Sequence, residues 1–79
     1  MIEYLKPARK FMASQNQQTA GRIRDAILKL PEGDVKRMQG MGGVPKFRLR
    51  VGDFRVIFRV DGYVITILTI DNRGDVYKK

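Results

Sequence analysis

Apolar residues recur along the chain at two different periods, and the change of period divides it into a helical half and a strand half. Ala20, Ile23, Ala26, Ile27 and Leu30 stand three and four positions apart, which puts them on one stripe of a helix. Arg22, Arg24, Asp25 and Lys29 fall off that stripe and read as a solvated face. Ser14 or Asn16 can cap the start of this helix, and Ser14 with Gln17 has the spacing of a capping box. Pro31 and the following Glu-Gly-Asp end it. Ahead of it, "MIEYLK" reads as a short strand with Ile2 and Tyr4 on one face. Pro7 then suits the first turn of a short helix, where a missing N–H costs nothing. Phe11 and Met12 are the apolar positions of that helix.

From Lys46 onward the period is two. Strands are predicted over 46–51, 54–60 and 63–70, joined by turns at Gly52-Asp53 and Asp61-Gly62; the latter pair is a strong hairpin signal. Residues 32–45 hold four glycines. They lack the spacing and lysine of a phosphate-binding Walker loop and are expected to form a connection into the sheet. The element order predicts an α+β fold: a short N-terminal strand, two helices, then an antiparallel meander with the helices on one face. Residues 1–79 are read as a single domain, with no repeats and no low-complexity tract.

The turns set a register that can be tested against itself. A turn at Gly52-Asp53 places Val51 opposite Phe54, Leu49 opposite Val56, and Phe47 opposite Phe58. A turn at Asp61-Gly62 places Val60 opposite Tyr63, Phe58 opposite Ile65, and Val56 opposite Ile67. Both registers put apolar residues on the same face, so each supports the other.

That leaves the other face to the cations. "KFRLRVGDFRVIFR", residues 46–59, contains five of them: Lys46, Arg48, Arg50, Arg55 and Arg59. Arg50 falls opposite Arg55, and Lys46 opposite Arg59. Like charges directly opposed on a sheet cost roughly 0.2–1 kcal/mol per pair. No carboxylate in these two strands offsets that cost, so the face reads as a polyanion site. On the same reasoning Arg55→Thr should stabilise the fold by roughly 0.2–1 kcal/mol.

Composition narrows the chemistry. The formal net charge is +8 over 79 residues, with a pI near 10.3, an imbalance that favours nucleic acid, an anionic surface or an acidic protein as partner. The sequence has no cysteine and no histidine. Disulfide scaffolds, thiolate or imidazole metal sites, and serine–histidine or cysteine–histidine nucleophiles are thereby excluded. The carboxylates form no calcium-loop cluster. No cofactor and no metal are expected. No stretch approaches the ~18 apolar residues of a membrane span, and the N-terminus lacks a signal-peptide core, so the expected location is the cytoplasm, with no membrane partner.

Two segments, "FRLRVGDFRVIFRVDG" and "ILTIDNRGDVYKK", resemble the RelE toxins of the RelE/ParE superfamily of toxin–antitoxin systems. The resemblance covers nearly the whole chain. It implies a RelE-like toxin domain that acts as a ribosome-dependent endoribonuclease, cutting translated mRNA in the A site by 2′-hydroxyl attack. It also implies a cognate antitoxin, RelB-like or similar, with an acidic segment. The catalytic residues it implies are Lys46, Arg48, Arg55, Arg73 and Tyr77, with Arg50 and Arg59 binding RNA phosphates. Arg55 and Arg73 would grip the scissile phosphate, Lys46 and Arg48 would hold neighbouring phosphates or assist proton transfer, and Tyr77 would stack on a base or orient the 2′-hydroxyl. Two departures qualify this. Arg48 stands where lysine is common, and a guanidinium stays protonated, so it is no general base. The sequence runs only two residues past Tyr77, and the C-terminal helix of some relatives is not expected. Structural roles remain open for Tyr77, packed on a sheet edge, and for Arg73, in a turn. Inhibition of DNA gyrase in the manner of ParE, or nucleic-acid binding without catalysis, are the alternative functions.

Overall fold

The computed structural model describes residues 1–38, 43 and 45–72. Five strands and two helices follow in the order β1 (Ile2–Tyr4), α1 (Lys6–Ala13), α2 (Gln17–Leu28), β2 (Asp34–Arg37), β3 (Lys46–Val51), β4 (Phe54–Asp61) and β5 (Val64–Asn72). The strands form one open mixed sheet in the order β1-β5-β4-β3-β2. β1 runs parallel to β5, and the other neighbours are antiparallel. The strand–helix–helix–meander order expected from the sequence is present. The order it produces puts the two longest strands, β4 and β5, inside the sheet.

The helices start where local chemistry dictates. Pro7 lies in the first turn of α1, where it satisfies the fixed φ of a helix without removing a needed donor. Asn16, not Ser14, caps α2: its Oδ1 accepts from the Thr19 N–H at 2.8 Å, an arrangement worth about 1 kcal/mol. Ser14 instead closes α1, donating from its hydroxyl to the Phe11 carbonyl at 2.7 Å.

The helices bury Ala8, Ile23 and Ile27 against Leu49, Val56, Phe58, Ile67 and Ile70 of the sheet. Ile23 and Ile27 are fully buried, which stabilises by about 1.5–3 kcal/mol for each such side chain. Phe11 meets Phe54 edge-to-face at 5.9 Å, and Phe47 stacks on Phe58 at 5.5 Å. Both helices therefore occupy one side of the sheet. Among the described residues no helix packs on the other side.

Three expectations are corrected. The segment after α2 is not all loop: Asp34–Arg37 forms β2 and pairs with β3, with Val35 opposite Leu49. A four-residue edge strand carries only one inward apolar residue, too little for a period to show. The β4–β5 hairpin is shifted by two residues, with Asp61 opposite Val64, Val60 opposite Ile65, and Phe58 opposite Ile67. Gly62 and Tyr63 form the turn, Gly62 taking φ +62, and Tyr63 is 95% exposed instead of lying in the core. A shift of two preserves the face of every other residue, because the side-chain period is two. Finally, β5 contains a bulge. Ile57 pairs with Thr69 while Phe58 pairs with Ile67, so Leu68 is the extra residue. The strand continues to Asn72, through the Asp71-Asn72 expected to begin a turn; the rest of that turn and the terminal "VYKK" lie outside the described residues.

The β3–β4 register agrees with the expected one at every pair: Lys46 with Arg59, Phe47 with Phe58, Leu49 with Val56, Arg50 with Arg55, and Val51 with Phe54. Gly52 adopts φ +60 in the turn, which favours glycine. The Arg22 guanidinium of α2 packs over it, so that a Cβ at position 52 would stand 3.0 Å from Arg22 Nη2.

Candidate nucleic-acid interface

Alternation along each strand, combined with the ladder, arranges the uncovered face in rows. One row reads Asp34, Arg50, Arg55, Asp71 across β2, β3, β4 and β5. The middle row reads Lys36, Arg48, Ile57, Thr69. The third reads Lys46, Arg59, Thr66 and then Glu3 of β1. Cations thus fill the centre of the face on β3 and β4. Among the described residues, its carboxylates sit on the flanking strands or, as Asp61, at the hairpin end. Arg48, Arg55 and Arg59 are half-buried, whereas Lys46 and Arg50 are exposed.

The structure brings together five of the seven residues singled out from the sequence: Lys46, Arg48, Arg50, Arg55 and Arg59. Arg73 and Tyr77 lie outside the described residues. Sequence reasoning missed Lys36 and Asp34, because β2 was read as loop. "DVKR" has a single inward apolar residue, Val35, too short a stretch for a period to be read.

It also missed what Asp71 does at this face. The bulge at Leu68 turns Asp71 onto the open face directly opposite Arg55. Arg55 Nη2 donates to Asp71 Oδ2 at 3.2 Å. This removes the ground for expecting Arg55→Thr to stabilise the fold. The Arg50–Arg55 repulsion is offset by a carboxylate from a third strand, and removing Arg55 would leave that carboxylate alone. Two further atoms of the pair, Arg55 Nε and Asp71 Oδ1, are buried with no hydrogen-bond partner among the described residues.

The helical side carries different chemistry. A cleft of about 370 Å³ is lined by Ile2, Tyr4, Arg9, Met12, Arg24 and Leu28. Burial pushes the Tyr4 hydroxyl above its ordinary pKa, and the nearby charge of Arg24 opposes that shift. The phenol stays protonated at neutral pH, and it lies on the opposite side of the sheet from the cationic rows. Among the described residues no helix is long and apolar enough to cross a membrane.

Comparison with known proteins places this arrangement. The family model for the ParE toxin of type II toxin–antitoxin systems, parDE, matches residues 2–77. An archaeal RelE–RelB complex from Pyrococcus horikoshii OT3 contains a chain 30% identical, with a TM-score of 0.73 over 92% of this chain and 93% of that one. A RelB–RelE antitoxin–toxin complex from Methanococcus jannaschii matches at 21% identity and TM-score 0.73, covering 95% and 94% of the two chains. The RelBE2 toxin–antitoxin complex from Mycobacterium tuberculosis matches at 18% identity and TM-score 0.75, covering 92% and 96%; these two likenesses concern the fold. No curated protein matches the chain. With a family model spanning nearly all of its length and a chain of a RelE–RelB complex 30% identical, the protein belongs to the RelE/ParE superfamily of type II toxin–antitoxin toxins.

Proposed function

We propose that this toxin is a ribosome-dependent endoribonuclease that cuts translated mRNA. The observation that carries the reading is the concentration of Lys46, Arg48, Arg50, Arg55 and Arg59 on the two inner strands of an uncovered sheet face. Fixed cations on a rigid sheet are pre-organised for a developing phosphate charge, commonly the main source of an enzyme's rate enhancement. The 2′-oxygen of the RNA bonds to phosphorus as the P–O5′ bond breaks. The 2′-proton is removed, and the departing 5′-oxygen gains one. Arg55, with Arg73, neutralises the phosphorane-like transition state through its paired donors. Lys46 and Arg48 hold the flanking phosphates, and Arg50 and Arg59 extend the track. Tyr77 orients the 2′-hydroxyl or stacks on a base. Without histidine the site is poor at moving protons at neutral pH, which fits dependence on the ribosome to align the substrate.

The test is to induce the protein in cells and map mRNA 5′ ends against reading frame. In-frame cuts on translated messages support the proposal. Among the described residues no three carboxylates come together as a ligand set, so cutting on programmed ribosomes is expected to persist in EDTA once ribosome integrity is controlled. The products are expected to carry 2′,3′-cyclic phosphate and 5′-hydroxyl ends; 5′-phosphate ends would sink the mechanism.

Inhibition of DNA gyrase is the second reading, favoured by the match to the ParE family model. Intact messages accompanied by DNA breaks would select it. Under either reading we expect an antitoxin partner, since the three similar structures are toxin–antitoxin complexes. The +8 charge suits an acidic segment of that partner, RelB-like or similar. A small protein with an acidic segment is expected to be encoded next to this gene; its co-expression is expected to restore growth, and the complex to loosen as salt screens its rim charges. Failure of that neighbour to bind would count against the toxin–antitoxin pairing.

A further inference from the structure

The geometry points to Asp71 as a positioning residue that holds the Arg55 guanidinium by one edge and leaves its other edge for the RNA phosphate. The inference rests on the proposed RNA cleavage and deepens it. Without the bulge, the ladder that pairs Phe58 with Ile67 would continue to put Ile70 opposite Arg55, and Asp71 would turn toward the core. The extra residue at Leu68 reverses this: Ile70 is buried in the core and Asp71 faces Arg55. Bulges commonly re-aim a side chain in this way beside a functional site.

The atoms involved are specific. Arg55 Nη2 already donates to Asp71 Oδ2 at 3.2 Å. The two buried atoms with no partner among the described residues, Arg55 Nε and Asp71 Oδ1, are the complementary pair that a side-on, two-bond grip would join. Such a grip uses the Nε and one Nη2 hydrogen. Nη1 and the second Nη2 hydrogen remain, and they form the edge that a phosphodiester's two oxygens would meet. Arg50 stands directly across the ladder from Arg55 and would push an unheld guanidinium aside. Asp71 opposes that push from the other flank. Its negative charge also weakens ground-state attraction of the phosphate. Removing it should therefore slow the chemical step without weakening binding, a pattern that general loss of structure does not produce.

The test compares wild type with Asp71→Asn and Asp71→Glu on ribosomes programmed with a defined mRNA, reading kcat and the ribosome concentration for half-maximal rate. Thermal melts and the Arg55 Nε–H signal by nuclear magnetic resonance are recorded on the same preparations. Asp71→Asn is expected to lower kcat tenfold or more with KM unchanged or lower, and to lose a slowly exchanging Nε–H signal present in wild type. Asp71→Glu, which keeps the carboxylate, is expected to regain most of both. If Asp71→Asn does not fold, Asp71→Ser serves in its place. Wild-type kcat in a variant that has lost the signal would overturn the positioning role while RNA cleavage stands. A signal unchanged in Asp71→Ala, whose side chain has no acceptor, would show that something else holds Arg55, and would also overturn it. If wild type cuts no message at all, the cleavage reading falls, and the positioning role falls with it.

Discussion

Arg55→Thr is expected to reduce RNA cleavage by about 10²–10³-fold, the usual cost of removing one pre-organised group from a developing charge, and to lower stability at the same time. Three effects set the sign of the stability change. Relief of the Arg50–Arg55 repulsion returns roughly 0.2–1 kcal/mol. Loss of the half-exposed Arg55–Asp71 pair removes up to about 1 kcal/mol, discounted for solvent screening. The oxygen that loses its donor is Asp71 Oδ2. An acceptor left unsatisfied costs about 1–3 kcal/mol when buried; because the Asp71 side chain is 43% exposed, water replaces part of the bond and the cost falls at the low end of that range. The balance is a net loss of about 1 kcal/mol, or roughly 4–8 °C in melting temperature for a domain of this size. Thermal melts at low and high salt, paired with the cleavage assay, check both arms. A variant that melts higher than wild type, most of all at low salt, would mean that repulsion dominates and that the Asp71 contact contributes little.

Phe58→Ala is expected to cost about 3–5 kcal/mol, the range for truncating a buried aromatic. Phe58 is 3% exposed, stacks on Phe47 at 5.5 Å, and pairs across the ladder with both Phe47 and Ile67. It is the apolar support beneath the centre of the cationic face, between Ile57 and Arg59. A cavity there removes the packing that keeps β3, β4 and β5 in register. For a small domain the loss is a large share of the ~5–15 kcal/mol that folded proteins typically have, and it corresponds to a fall in midpoint of roughly 12–40 °C. Chemical denaturation should show the same loss in midpoint at an unchanged slope. A loss below about 1 kcal/mol would mean that the site collapses around the missing ring and that Phe58 is not central to the core.

The cationic face was legible in the sequence because its cause is local. Lys46, Arg48 and Arg50 alternate with Phe47, Leu49 and Val51. A strand places alternate side chains on opposite faces, and a two-residue turn with glycine at positive φ leaves little freedom in the pairing that follows. Helix α2 was legible for the same kind of reason, through its three- and four-residue spacing. Its cap was ambiguous because Ser14 and Asn16 both carry suitable oxygens, and only the backbone path decides which one meets Thr19. β2 escaped notice because an edge strand with one inward residue, Val35, has no period to read.

What the sequence determined by itself is the parity of the sheet: which residues of β3 and β4 face the helices and which stand in the open. That follows from period two and turn chemistry, and it survives even a two-residue error in the β4–β5 hairpin. What only the tertiary structure decided is how the open face is charged at its margins. Asp34 comes opposite Arg50 because β2 adds to the sheet edge, and Asp71 reaches Arg55 because one extra residue at Leu68 reverses the facing of the end of β5. Both pairings join positions 16 apart in the chain, Asp34 with Arg50 and Arg55 with Asp71. No local pattern specifies such a pairing; the register of neighbouring strands does, and that register is settled by how Ile67 and Ile70 both find the core.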